Sequence, residues 1–248
     1  MISLRIIGDP VMIEAKITNE IEVRPSIQNL VLISMFFALF SCPSHAQQDD
    51  AGLWSSVTVK HQITRRMAAS LSEQVRLHQN ISDVDQFFTD LGVDYDIKPS
   101  LKVSVNYRWM SKNKLTYYST RHRLYVDLTY KRKFKPVSIT LRQRVQSQVE
   151  SIHSSENGKI PEWYTRTKLT LKLDLNKKYT PYIATEYYYV LDNLKEEDHV
   201  FDKSRYEVGV DYDFNRRSSL NLFYLIQKDI LENKSRDFVS GIGYTYSF

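Results

Sequence analysis

The residues of this 248-residue chain that could do chemistry fall into two groups, scattered histidines and a dense set of alternating charges. His61, His78, His122, His153 and His199 lie beyond an N-terminal apolar run. A serine–histidine hydrolase needs a nucleophile within reach of its base and a third group that orients the base. His153 and Ser154 are adjacent, but they stand in the polar stretch 151–158, where nothing fixes their geometry. His122, between Arg121 and Arg123, would become a rim catalytic site only if a Ser or Asp converged on it within hydrogen-bond reach. Glu196-Glu197-Asp198-His199 groups hard oxygen ligands with an imidazole, as a Ca²⁺ loop does, yet the run reads first as a solvated loop. No Gly-rich phosphate loop occurs. The sequence therefore names no catalytic residue, no cofactor and no metal ligand.

The charges are more informative because they alternate with apolar residues. In Thr167-Lys168-Leu169-Thr170-Leu171-Lys172-Leu173-Asp174-Leu175 the leucines share one parity and the polar residues the other. Successive side chains of a strand point to opposite faces, so this segment has a greasy side and an ionic side. The same split recurs where Leu101, Val103, Val105, Tyr107 and Trp109 oppose Lys102, Ser104, Asn106 and Arg108. It recurs again where Tyr206, Val208, Val210 and Tyr212 oppose Arg205, Glu207, Gly209 and Asp211. Lys102, Arg108, Arg123, Arg142, Arg144, Arg166, Lys168 and Lys172 fall on four neighbouring predicted strands; Asp90, Asp94, Asp96, Glu186, Glu207, Asp211 and Asp213 fall on strands to either side. If the apolar faces meet lipid, these residues line a lumen as a basic wall with acidic flanks. A narrow barrel is filled by its own side chains, so long Arg and Lys reaching Asp and Glu would close it with salt bridges. The competing expectation is a small anion-selective path along the basic wall. Cations that alternate inside strands make no exposed stripe, so nucleic acid is not an expected partner.

The elements that would position these residues are strands throughout. Segments near 67–78, 85–97, 101–111, 119–132, 137–150, 163–175, 180–191, 203–214, 218–231 and 236–248 give ten, with twelve possible. Residues 53–62 also read as a strand and would make eleven; a barrel with both ends on one side needs an even count, so this segment is expected outside the ladder or one strand is missing. Short turns near 98–100, 133–136, 176–178 and 215–218 alternate with longer loops near 79–84, 111–119, 151–162, 192–203 and 232–236. Strict short–long alternation is that of an antiparallel up-and-down transmembrane β-barrel. The fold class is all-β. Tyr outnumbers Phe by 17 to 11, and rings with a polar tip suit a membrane–water boundary. Tyr187-Tyr188-Tyr189, Trp109, Trp163 and Tyr206 are expected in an outer aromatic girdle, and Tyr212, Phe214, Tyr246 and Phe248 in an inner one. The mean hydropathy of −0.42 does not oppose this, since lumen-facing polar residues offset the lipid-facing ones.

Two ends of the chain sharpen the reading. The apolar run at 30–40 is too short to cross a bilayer as a helix, and Ser44-His45-Ala46 follows it, so residues 1–46 are expected to be a signal peptide cleaved after Ala46. The stretch ahead of that run is long for such a segment and mixes Glu with Lys and Arg, as an over-called start would. Cys42, the one cysteine, lies inside it, so the expected mature barrel, 47–248, has no disulfide. At the other end, Gly243, Tyr244, Tyr246 and Phe248 resemble the signal that bacterial outer-membrane proteins present to their assembly machinery, with Gly241 where that pattern more often has a polar residue.

From Leu53-Trp54 to Phe248 the layout resembles the bacterial outer-membrane family called domain of unknown function 2490. The resemblance rests on Trp54, Glu73-Gln74-Val75-Arg76, Gly92-Val93-Asp94-Tyr95, Val105-Asn106-Tyr107-Arg108 and the aromatic terminus. It implies the barrel fold and a Gram-negative outer-membrane location, with outer-membrane lipid and the barrel-assembly machinery as partners; it implies no activity, no site and no partner protein. The expected role is structural or a narrow small-solute, porin-like passage. Two rivals remain: an outer-membrane barrel enzyme with a site at the extracellular rim, and a soluble periplasmic β-sheet binding module. Closure of the sheet separates the module from the barrels.

Overall fold

The computed structural model describes residues 49–248 except 115, 151–161, 176–177, 192–200 and 231–234. The expected signal segment, Cys42, the His153-Ser154 pair and the run 196–199 lie outside the described residues. Among the described residues period-two patterning gives eleven strands: β1 (Asp49–Gln62), β2 (Met67–His78), β3 (Asp83–Lys98), β4 (Leu101–Asn113), β5 (Tyr118–Phe134), β6 (Val137–Glu150), β7 (Glu162–Leu173), β8 (Tyr179–Val190), β9 (Phe201–Asp213), β10 (Ser218–Asp229) and β11 (Arg236–Ser247). Each pairs antiparallel with its sequence neighbour, and β1 closes the barrel against β11. That last pair is parallel, in register from Asp49↔Arg236 to Lys60↔Ser247. The count is therefore eleven where the sequence suggested ten or twelve. An even number is required only when both ends of the ladder leave by the same rim; a parallel seam removes that requirement and takes residues 49–62 into the ladder.

The sheet separates the two faces as the alternation demands. Along β5, Leu124, Val126 and Leu128 are 55%, 44% and 47% exposed, whereas Tyr125 and Asp127 between them are 5% and 7% exposed. Along β7, Leu169 and Leu173 lie open on the outer face, while Lys168 and Lys172 turn inward and are ion-paired. In a closed sheet the covered face can only be the interior, so the ionic side is enclosed and the greasy side is turned out.

The odd-numbered strands end at one rim, where the short connections 63–66, 99–100, 135–136 and 214–217 lie; β2, β4, β6, β8 and β10 end at the other, the long-loop rim, where β1 begins. Asn215 caps the tight turn at the first rim, its side-chain oxygen accepting the amides of Arg217 (2.8 Å) and Ser218 (2.9 Å). At the second, the Asp50 carboxylate accepts the amides of Gln79 (2.9 Å) and Asn80 (2.8 Å). Gln79, Asn80 and Ile81 all have positive φ, at 52°, 55° and 67°; for β-branched Ile81 this is strained backbone, secured by Asp50 and by the Ile81 amide on Ala51 O at 3.1 Å.

Outward rings meet near both rims. Phe87 and Trp109 lie edge to face at 5.7 Å, and Tyr187 lies against Phe201 at 6.0 Å and Tyr206 at 6.5 Å. At the short-turn end Tyr212 contacts Tyr179 at 4.8 Å and Phe214 at 4.7 Å, and Tyr246 stacks with Phe248 at 6.2 Å. Tyr188 departs from the expected girdle. It has the opposite parity to Tyr187 and Tyr189, faces inward and is 5% exposed.

Candidate functional site: an arginine–aromatic circuit in the barrel interior

Inward parity brings arginines and rings of neighbouring strands side by side, and they stack alternately. The Arg144 guanidinium on β6 lies 3.8 Å from the ring centre of Tyr125 on β5, which is 5.8 Å from Arg108 on β4. Arg108 sits 3.6 Å over Phe88 on β3, and Phe88 is 5.0 Å from Arg76 on β2. Arg76 covers Trp54 on β1 at 3.7 Å, and Arg205 on β9 lies 5.0 Å from the same ring. Arg205 is 4.8 Å from Tyr188 on β8, and Arg166 on β7 is 4.2 Å from it. Arg166 then donates to Gln146 Oε1 on β6 at 3.4 Å, the strand from which the circuit began. Phe223 on β10 meets Trp54 edge-on at 6.4 Å. Its ring lies across Gly241 on β11, where a Cβ would come within 2.0 Å of it. Glycine at the position where the terminal pattern favours a polar residue is thus explained by an aromatic side chain laid over the neighbouring strand. Such cation–π contacts are worth about 2 kcal/mol or more when desolvated.

Carboxylates hold most of the guanidiniums in place. Asp90 accepts Arg108 through Nε (2.9 Å) and Nη2 (2.5 Å) and also the Tyr125 hydroxyl (3.1 Å). Asp127 takes Arg144 in the same forked manner at 2.6 and 2.7 Å. Glu186, itself buried, accepts Arg166 at 2.9 Å on each oxygen, Arg142 at 2.5 Å and the Tyr188 hydroxyl at 3.4 Å, and lies 3.7 Å from Arg205. Forked Arg–carboxylate pairs fix orientation as well as supplying charge-assisted bonds.

Nearer the short-turn rim the pairs are lysine-based. Lys168 meets Glu207 at 2.7 Å, and Tyr182 donates to the same carboxylate at 2.7 Å. Lys172 pairs with Asp211, which also accepts Asn221 at 2.8 Å. Lys102 stands 3.6 Å from both Asp94 and Asp96. Asp213 ends β9 and is exposed there.

Seven of the eight cations expected along the basic wall thus meet carboxylates. The eighth, Arg123, has an amide instead, its Nε donating to Gln148 Oε1 at 3.1 Å. The lumen wall expected from the sequence includes neither Arg76, Arg205 nor Asp127, nor the rings of Trp54, Phe88, Tyr125 and Tyr188. Parity was the available signal, and it does place Arg76 with Ser72 and Gln74, and Asp127 with Arg123. The rings were hidden by the expectation that aromatic side chains seek the lipid boundary.

Counted together, Arg76, Arg108, Arg123, Arg142, Arg144, Arg166 and Arg205 face Asp90, Asp127 and Glu186, an excess of four positive charges among these ten residues. Arg76 has the poorest polar partnership, a 3.4 Å bond to Gln74; its Nε is buried and bonds to no described atom.

His122 is on the other face. Its Nδ1 is 2.6 Å from the Tyr107 hydroxyl, with the rings stacked at 6.1 Å, and it is turned away from the interior that Arg121 and Arg123 enter. Of the terminal residues, Tyr244, Tyr246 and Phe248 lie exposed on the outer face, and Gly243 faces Ser56 inside.

Residues 51–237 match the family described as Protein of unknown function (DUF2490). The chain belongs to that family. In this DUF2490 barrel the matched span runs from β1 into β11 and contains every arginine, ring and carboxylate of the interior circuit. Among curated proteins none matches the chain. Solved structures that resemble it include LpxR from Salmonella typhimurium, with a TM-score of 0.51 at 10% identity over 84% of this chain and 92% of that one. The NanC porin aligns with a TM-score of 0.48 at 12% identity over 76% and 92%, and the KdgM porin with 0.41 at 13% identity over 68% and 80%. The likeness to LpxR is one of fold.

Proposed function

We propose that this DUF2490 protein is a Gram-negative outer-membrane barrel whose constricted, ion-paired interior admits only narrow passage of small solutes. The carrying observation is the circuit itself: arginines and rings from strands all round the wall touch in sequence, with positive charge in excess. A wall built this way narrows the lumen and gives it an electrostatic preference. Barrel resemblance and the outward apolar band with its paired rings support the membrane location. In this reading residues 1–46 are the export signal, outer-membrane lipid covers the exposed face, and Gly243, Tyr244, Tyr246 and Phe248 present β11 to the barrel-assembly machinery. The lumen-lining residues are the basic wall of Lys102, Arg108, Arg123, Arg142, Arg144, Arg166, Lys168 and Lys172 and the acids Asp94, Asp96, Glu186, Glu207, Asp211 and Asp213. A purely structural role is favoured by one feature, that the same pairs brace strand to strand, as Lys168 on β7 does to Glu207 on β9.

The test is planar-bilayer conductance of the protein extracted from outer membranes after expression of the full chain. Small, steady, salt-dependent steps support passage. Silence from protein shown to be folded by heat-modifiable gel mobility refutes passage and leaves the scaffold.

A further inference from the structure

We propose that Arg76 and Arg123 supply the donor arms of an interior binding site for a small oxyanion, a free solute bearing a carboxylate or phosphate group. The proposal deepens the reading of the lumen as a narrow passage and rests on it. Every carboxylate of the circuit is already committed. Asp90 is occupied by Arg108 and Tyr125, Asp127 by Arg144, and Glu186 by Arg166, Arg142, Arg205 and Tyr188. Among the described residues Arg76 and Arg123 have only the amide oxygens of Gln74 and Gln148. A guanidinium withdrawn from bulk water without a counter-charge is unfavourable, and stacking on Trp54 and Phe88 offsets only part of that for Arg76. The neighbouring positive charges add to the demand, Arg205 and Arg108 on Arg76, and Arg108 and Arg166 on Arg123.

The geometry suits an incoming anion better than a random surplus of charge would. Arg76 is held between two rings, so its donors are oriented before anything binds, and its Nε is buried without a described partner. A planar fork with fixed donors matches the paired oxygens of a carboxylate or phosphate. Arg76 lies two residues before the end of β2 and Arg123 five after the start of β5, so both are reached from the long-loop rim. Both side chains point inward, away from the membrane, so a dissolved anion and not a lipid headgroup is the occupant.

Trp54 reports on the site because Arg76 covers its ring. The experiment titrates inorganic phosphate and, separately, succinate into the full-length-derived barrel in zwitterionic detergent, in a Trp109→Phe/Trp163→Phe background, with chloride holding ionic strength constant. Saturable change in Trp54 emission with either anion is expected. Arg76→Gln and Arg123→Gln are each expected to weaken it about tenfold or more, the effect of one lost charge-assisted bond, and Arg76→Lys is expected to recover part of it. Arg123→Gln does not touch Trp54, so its effect separates binding from a change in the reporter. Arg216→Gln, in the exposed turn after β9 at the opposite rim, is expected to leave the midpoint unchanged. No saturable response from folded protein, or one that Arg123→Gln leaves in place, overturns the proposal. Because binding is read in micelles, it succeeds or fails independently of conductance. Anionic detergent competing where free phosphate does not would assign the donors to a lipid headgroup and also overturn it.

Discussion

Replacing Glu186 by Gln removes one negative charge while keeping the size of the side chain and one carbonyl acceptor. In the folded barrel that charge is shared by Arg166, Arg142 and Arg205 at distances of 2.5 to 3.7 Å. Without it three guanidiniums face one another across a buried site. Coulomb's law at 4 Å gives about 4 kcal/mol for a single pair at an effective dielectric of 20, and removing one partner of a buried ion pair costs about 3–5 kcal/mol. Glu186→Gln is therefore expected to destabilise the barrel by about 3 kcal/mol or more. With a guanidinium m-value of about 4 kcal/mol/M, the unfolding midpoint, followed by loss of β circular dichroism in micelles, should fall by roughly 0.8 M. Glu186→Gln combined with Arg166→Gln should cost less than the two changes summed, because the second removes part of the repulsion that the first creates. Asp213→Asn, at an exposed strand end, should move the midpoint by no more than about 0.5 kcal/mol. A loss below about 1 kcal/mol for Glu186→Gln, or strict additivity with Arg166→Gln, would refute the claim that this carboxylate holds the cluster together.

Three further outcomes follow from the two-faced sheet. In single-tryptophan variants, brominated lipid chains should quench Trp109 and Trp163, which are 39% and 42% exposed on the outer face, and leave Trp54 bright; quenching of Trp54 would reverse the orientation of β1. Gly241→Ala should destabilise by about 1–3 kcal/mol through overpacking against Phe223, and Phe223→Leu should restore much of it; an unchanged thermal midpoint would show that the ring moves freely. Leu169→Lys on the outer face should cost about 2–4 kcal/mol, whereas Leu175→Lys just beyond β7 should cost no more than about 1 kcal/mol, and equal penalties would remove the case for a depth-dependent hydrocarbon environment.

Much of the fold was legible because period-two alternation is a local signal. Leu169, Leu171 and Leu173 against Lys168, Thr170 and Lys172 reveal a strand, its two faces and which face is ionic, all within nine residues. The turn residues set the boundaries equally locally, with Asn215 the clearest case. Strand number was less legible, because it depends on how β1 meets β11 across nearly the whole chain, and no short pattern specifies a parallel closing pair. The interior was half legible. Lys168 and Glu207 could be placed on one face, but their pairing across an intervening strand follows from register and tilt. Tyr188 shows where composition misleads: in the run Tyr187-Tyr188-Tyr189 residue type is constant, so parity alone tells that the middle ring enters the lumen.

The parallel seam also bears on how the barrel can be built and opened. Short turns join β1 with β2, β3 with β4, and so on to β9 with β10, which leaves β11 as the solitary strand of the set. If hairpins enter the bilayer as units, the last hydrogen bonds to zip are those between the opening hairpin and this unpaired strand, laid down with slanted geometry that is slightly weaker per residue than an antiparallel ladder. The line between β1 and β11 is then the natural crack of the cylinder, and amide deuterium uptake should advance along it before it reaches any other pair of neighbours.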